Sequence, residues 1–115
     1  MPGKVVAVRG NELAWKERPK PAGTTFRKDL FGDPDTGMEI RLVRYPAGYM
    51  GPAHAHHCGH GLYVLEGTPR THEGTYGPGS FVWFAEGEWM EHGATAAGDV
   101  TVVFITNKAF DIYYD

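Results

Sequence analysis

The sequence predicts an all-β protein. Sixteen glycines and eight prolines among 115 residues favour turns and short strands over helices. Short apolar or alternating segments are separated by turn residues about every 8–12 positions, and none of them repeats with the 3.6-residue period of an amphipathic helix. We therefore expect roughly nine to eleven short strands arranged as a sandwich or a barrel.

The composition limits the function classes. At 115 residues the chain is expected to form a single domain, residues 1–115, with a modest core. A net charge of -3 and the lack of a basic run argue against nucleic acid as a partner. The longest apolar runs, such as 100–105, are too short to span a bilayer, and the apolar stretch at the start is too short for a signal peptide. The single cysteine, Cys58, excludes an internal disulfide, so a cytoplasmic location is expected.

Turn residues divide the first half of the chain into three expected strands. Gly10-Asn11 closes the first, a glycine- and proline-bearing cluster at 31–37 follows the second, and Pro46-Ala-Gly48 ends the third. Residues 13–20 run into Pro19-Lys-Pro21, and we expect them to be irregular, draped over the barrel or over a partner subunit. The three strands are residues 4–8, 24–30 and 38–45.

The strand at 38–45 alternates, so its side chains divide between two faces. Arg44 shares one face with Met38, and Arg41 shares the other with Glu39. Either arginine can bind an anionic substrate, and the pattern does not decide which of them faces inward.

The second half of the chain is expected to contain seven strands, separated by breaks such as Glu66-Gly67, 74–79 and Gly98-Asp99. Its aromatic residues are expected to be mainly core, with some lining an apolar pocket. These aromatics are Tyr63, Phe81, Trp83, Phe84 and Phe104. The seven strands are residues 52–57, 60–66, 68–73, 80–84, 89–94, 100–106 and 110–114.

Four of the six histidines lie within seven positions. In an extended segment His54 and His56 share one face, whereas His57 points away. A turn at Cys58-Gly59 can bring His60 back beside them. Converging neutral imidazoles are common ligands of divalent transition metals, so this run predicts a metal site.

The spacing of this run resembles the first conserved motif of the cupins. Gly48, five residues, His54-Ala-His56, three residues, His60, six residues and Gly67 follow that motif, with His60 where most cupins have glutamate. The resemblance implies a cupin jelly-roll β-barrel over about residues 24–106, with the site inside its mouth. The run at 21–37 is similar to the opening segment of the branch that holds zinc-binding anti-sigma cupins and diketone-cleaving dioxygenases.

The second cupin motif is degenerate in this chain. Gly79 opens it and Ala85-Glu-Gly87 replaces its Pro-x-Gly, but Met90 stands at the histidine position. His92 lies two residues further on, which in a strand is the same face. We expect His92 to be the fourth ligand, after His54, His56 and His60, and Met90 to form pocket wall.

His57, His72 and Cys58 are expected to lie off the site. His57 should face outward, His72 sits near a turn, and the Cys58 side chain on its turn should point away. Glu86, Glu88 and Glu91 flank His92 and are expected to form a solvated face.

The resemblance implies one divalent transition metal per chain, with iron, manganese or zinc as candidates. An all-histidine shell adds no negative charge, so an enolisable or anionic oxygen donor should be attracted to the ion. We expect a metal-dependent oxygenase acting on a small molecule, with its catalytic residues undetermined. The alternatives are a non-catalytic metal-loaded sensor or binding cupin, and a zinc-type cyclase or isomerase. Because most small cupins that resemble this chain are dimers, we also expect a homodimer that packs sheet against sheet.

Overall fold

The computed structural model describes residue 3 and residues 5–114, and it confirms the all-β fold. Within those residues the helical content is one 3-10 turn, Gly10–Glu12, and no helix is long and apolar enough to cross a membrane. The strands are β1 (Lys16–Lys20), β2 (Gly23–Gly32), β3 (Glu39–Tyr45), β4 (His54–Ala55), β5 (His60–Glu66), β6 (Pro69–Thr71), β7 (Gly74–Thr75), β8 (Phe81–Phe84), β9 (His92–Ala94), β10 (Val100–Thr106) and β11 (Tyr113–Tyr114).

The strands form one large antiparallel sheet and two smaller ones. The large sheet has the order β1-β2-β3-β10-β5-β8, the second has the order β7-β6-β9, and β4 pairs with β11. Neighbours in the large sheet are often distant in sequence, as where β10 lies between β3 and β5. These crossings are those of a jelly roll, in which strands alternate between two packed layers.

The core lies between the layers and takes alternate residues of the large sheet. Successive side chains of a strand point to opposite faces, and the inward set of β3, β5, β8 and β10 is mainly apolar, with Arg41 and His60 among the buried polar exceptions. Met90 and Ala94 complete the core from the opposite side. The buried core residues are Val43, Tyr45, Leu62, Val64, Phe84, Met90, Ala94, Val100, Val102 and Phe104.

Two predictions near the N-terminus are wrong. Residues 5–8 form no strand, and Lys4 lies outside the described residues. Conversely, part of the segment expected to be irregular is β1, which pairs with β2 from Lys16↔Arg27 to Lys20↔Gly23. Pro19 is tolerated because β1 is the edge strand, where a missing N–H need not break a ladder. The large sheet therefore starts at residue 16, ahead of the expected barrel boundary at 24.

The prediction that the five aromatics are mainly core, with some lining a pocket, is also wrong for three of them. Phe84 and Phe104 are buried, but Tyr63, Phe81 and Trp83 are 43%, 56% and 49% exposed. The parity of β5 and β8 explains the division, because Phe84 faces inward and residues one or three positions away must face outward. These three aromatics lie on the outer face of the large sheet.

Candidate metal centre

Two short strands bring three histidines together. His54 and His56 come from β4 and the residue after it, and His92 begins β9. All three are buried, and they offer ring nitrogens that lie within 4.8 Å of one another. The geometry is that of a group able to hold a metal ion, with three protein ligands and further positions left for small molecules.

Backbone pairing explains why His92, and not residue 90 at the histidine position of the second cupin motif, lies beside His54 and His56. The His54 N–H donates to the Met90 carbonyl at 3.0 Å, and the Met90 N–H donates to the His54 carbonyl at 2.8 Å. Met90 thus lies opposite His54 and is buried in the core, while His92, two residues on, enters the histidine group.

Hydrogen bonds orient two of the rings. His54 Nδ1–H donates to the Pro52 carbonyl at 2.9 Å, and His56 Nδ1–H donates to the Asp111 carbonyl. A proton on Nδ1 leaves the lone pair on Nε2, which is the form that binds a metal. The Asp111 carboxylate is held in turn by the backbone N–H of His57 at 2.7 Å and by the His57 ring. Asp111 could not be predicted from the sequence, because nothing local marks a residue 55 positions from the ring that it orients.

His60 borders the group without belonging to it. Its ring centroid is 4.7 Å from that of His56 and 6.0 Å from that of His92. Phe84 and Phe104 stack against the His60 ring, each with its centroid 4.9 Å away. The assignment of His60 as a fourth ligand therefore stays a prediction.

Several buried ring nitrogens have no protein partner within the described part of the chain. They are Nε2 of His56 and both nitrogens of His60 and of His92. Burial, and then the neighbouring histidines, lower the pKa of His60 to about 3 and that of His92 well below its ordinary value, so both rings are neutral. Unpartnered buried acceptors are costly. Each neutral ring has one acceptor nitrogen, and a divalent ion bound between the three grouped histidines would satisfy those of His56 and His92, so the donor set fits a transition metal.

The other candidate residues lie away from this group. His57 is exposed, as are His72 and the three glutamates at positions 86, 88 and 91. Cys58 is buried, and burial raises the pKa of its thiol, which disfavours the thiolate that a metal requires.

One cavity opens beside the three histidines. Part of its wall is apolar or aromatic and includes Val43, Tyr45, Phe104, Phe110 and Ile112. Four basic residues also line it, and we call them the cationic wall: Arg18, Lys20, Arg27 and Arg41. Among the described residues that line the cavity there is no aspartate or glutamate.

The structure decides which arginine of β3 faces inward. Arg41 is buried on the cavity side, whereas Arg44 lies on the outer face with its guanidinium 4.6 Å from the Trp15 ring centroid. Sequence reasoning missed the other three members of the cationic wall. Arg18 and Lys20 lie in the segment expected to be irregular, and an alternating reading of 16–20 would have placed them on one face.

The neutral histidines predict a fall in stability at acid pH for the metal-free protein. The ordinary histidine pKa is 6.5, whereas His60 titrates only near 3 in the folded state. Between these two pH values the unfolded chain binds more protons than the folded protein. The contribution of the neutral His60 ring to the free energy of unfolding is therefore complete above about pH 6.5 and is lost as the pH falls toward 3. We expect the free energy of unfolding, measured with urea, to drop by several kcal/mol from pH 7.5 to pH 4. Equal values at the two pH values would contradict neutral buried rings.

Solved structures similar to this one share its fold. An RmlC-like cupin protein from Ralstonia eutropha JMP134 is 24% identical with a TM-score of 0.80, over 91% of this chain and 69% of that one. The polyketide cyclase RemF from Streptomyces resistomycificus is 17% identical with a TM-score of 0.80, over 97% and 88%. A candidate acetylacetone dioxygenase from Methylibium petroleiphilum PM1 is 16% identical with a TM-score of 0.81, over 93% and 79%. These likenesses confirm the cupin fold.

Sequence comparison gives the family. No curated protein matches the chain. A family model described as the ChrR cupin-like domain matches residues 4–111. The chain is thus a cupin-like domain with a three-histidine candidate metal site. Since the match spans nearly its whole length, the chain belongs to the ChrR cupin-like domain family.

Proposed function

We propose that this protein is a metal-dependent oxygenase that acts on a small enolisable or anionic oxygen donor. The observation that carries the proposal is the position of three buried, converging imidazoles beside a cavity whose described lining contains basic residues but no carboxylate. A bound iron or manganese ion would supply Lewis acidity and redox chemistry with dioxygen.

The residues of the chain supply binding, orientation and a dry environment. Hydrogen bonds to backbone carbonyls fix the rings of His54 and His56. Phe104 and Phe110 cover one side of the cavity, which limits the access of water to the reacting atoms. Neutral histidines leave the positive charge of a bound ion uncompensated, so an oxygen anion is the favoured ligand.

Two other functions compete with this proposal. One is a non-catalytic metal-loaded sensor or binding cupin, and the other is a zinc-type cyclase or isomerase. An isomerase needs a general base within reach of its substrate. The described cavity lining contains no carboxylate that could be this base, and its histidines would be engaged as ligands of the ion, which favours the oxygenase over the isomerase.

The test is oxygen uptake with Fe(II) bound and 2,4-pentanedione as substrate. Anaerobic addition of the diketone is expected to produce a visible charge-transfer band, and oxygen consumption should follow on exposure to air. Both effects should vanish in His54→Ala. No uptake over a panel of diketones, phenols and keto acids with either iron or manganese would contradict the oxygenase and favour the sensor. Stoichiometric zinc in protein purified without chelator would favour the sensor or the cyclase.

We also propose that two copies of the chain pack through the outer face of the large sheet. Two rows of apolar side chains cross this face on neighbouring strands, in the register given by the strand pairs. Gly61 lies beneath them, and a Cβ there would stand 2.6 Å from Phe81 Cζ, so the glycine lets the aromatic rings lie over the sheet. A face of this kind can pair with itself about a two-fold axis. The rows are Phe81, Tyr63, Val103 and Leu42, and Trp83, Ile105 and Ile40.

Light scattering at micromolar concentration is expected to give the mass of a dimer. Phe81→Glu should give the mass of a monomer, because it places a charge where apolar surface is buried. Val6→Glu is the matched control, since Val6 is 57% exposed against 56% for Phe81 but lies outside the sheets, and it should remain dimeric. A monomeric native protein would contradict the proposal.

A further inference from the structure

The cationic wall has more positive charge than the described residues neutralise. An Nη of Arg41 donates to Glu39 Oε2 at 2.6 Å, and Arg27 Nε lies 3.4 Å from Asp29 Oδ1. Arg18 donates only to the carbonyl of Glu17, and within residues 3 and 5–114 Lys20 has no carboxylate partner. The cavity beside the histidines is therefore positively charged before any metal binds.

The wall extends from the interior to the rim. The side chain of Arg41 is 7% exposed and that of Arg27 is 27% exposed, while Lys20 is an exposed residue. The guanidinium carbon of Arg41 lies 4.8 Å from the Phe110 ring centroid, and Phe110 in turn contacts the His56 ring. The wall thus connects the outer edge of the cavity with the histidine group.

Two further observations indicate that the wall has a ligand. Nε of Arg41 is buried without a hydrogen-bond partner among the described residues, and Nε of Arg27 is buried with only the 3.4 Å contact to Asp29 Oδ1, which lacks hydrogen-bond geometry. Partial burial lowers the pKa of Lys20, and the positive charges of Arg27, Arg41 and Arg18 lower it further. Without a ligand, the like charges that converge on this cavity repel each other. An anion bound between them would remove this repulsion and supply the missing hydrogen-bond acceptors.

We propose that the cavity binds a small organic dianion: an enolisable oxygen donor at the histidine group, with a carboxylate bound by Arg27 and Lys20. The oxygen-donor end of this inference rests on the proposed function, whereas the carboxylate end rests on the cationic wall alone. Arg41 lies deeper and is already paired with Glu39. Its guanidinium packs against the aromatic side of the cavity and adds positive charge there. A neutral diketone would therefore bind at the histidine group but make no ionic contact with Arg27 and Lys20.

The test compares ligands of similar shape that differ in charge. In the acid 2,4-dioxopentanoate a carboxylate replaces one terminal methyl group of 2,4-pentanedione, and the methyl ester of this acid is its neutral analogue. Isothermal titration calorimetry with metal-free and with zinc-loaded protein should give about 10- to 100-fold tighter binding of the acid than of the ester, as expected for charge-assisted hydrogen bonds. Because no turnover is needed, the result is independent of oxygenase activity.

Variants locate the effect. Lys20→Glu and Arg27→Gln should each remove most of the preference for the acid over the ester. Arg70→Gln is the control and should leave this preference unchanged, because Arg70 is exposed and does not line the cavity. Equal binding of acid and ester by the native protein would overturn the dianion inference and leave the proposed function standing. Tight, selective binding of the acid without oxygen uptake would support the inference and contradict the oxygenase. Binding of neither ligand would overturn the inference.

Discussion

The His56→Ala protein is expected to lose most of its metal. Removing the ring deletes one of three converging nitrogens and the hydrogen bond that ties β4 to the Asp111 carbonyl. Partners that merely orient a metal ligand are worth about 10- to 100-fold in affinity, so deletion of a ligand should exceed about 100-fold. Metal content after dialysis, measured by mass spectrometry, should fall from one ion per chain to near zero. His54→Ala should lose its metal to the same extent. In the native protein the metal–nitrogen distances should be roughly 2.0–2.3 Å.

Two histidines outside the group are the controls. His72→Ala should keep one ion per chain, because His72 is an exposed residue. His57→Ala should also keep it, since the backbone N–H at position 57 still holds the Asp111 carboxylate. His60→Ala is expected to weaken binding without abolishing it, because the other three nitrogens remain. Full metal retention by His56→Ala, or equal loss in the His72 variant, would contradict the site.

Gly93→Ala is expected to destabilise the fold by several kcal/mol. A Cβ at this position would stand 1.9 Å from the Tyr49 carbonyl oxygen and 3.0 Å from Met50 Cα. Both atoms belong to the backbone that bridges to Gly93, and the Ala94 N–H donates to that same Tyr49 carbonyl at 2.7 Å. The clash cannot be relieved by a change of side-chain rotamer, so the strand that starts at His92 must shift. The free energy of unfolding measured with urea and the metal content should both fall.

Gly98→Ala is the matched control. No atom lies within 4 Å of a Cβ built at Gly98, and its φ lies outside the left-handed range. Its stability should stay within about 1 kcal/mol of the native protein, because such replacements act chiefly on the unfolded chain. A Gly93→Ala protein as stable as this control would show that the backbone contact is not tight in solution.

The sequence by itself determined the fold class and the core of the ligand motif. Alternation and turn residues predicted β5 and β10 with their bounds at 60–66 and 100–106, because those strands are long and lie inside the sheet. The spacing of His54 and His56 placed them on one face, since side-chain direction in an extended segment is a local property. Local rules failed for β1, where a proline that usually interrupts strands is accommodated at a sheet edge.

Only the tertiary structure decided what stands around the histidines. Asp111 reaches His56 through the pairing of β11 with β4, a contact between distant parts of the chain. The choice of Arg41 over Arg44 for the interior depended on which face of β3 meets the opposite layer. The cationic wall exists because β1, β2 and β3 lie side by side, which brings Arg18, Arg27 and Arg41 to one cavity. Charges that converge across strands leave no pattern along the chain, because their proximity is a consequence of sheet order.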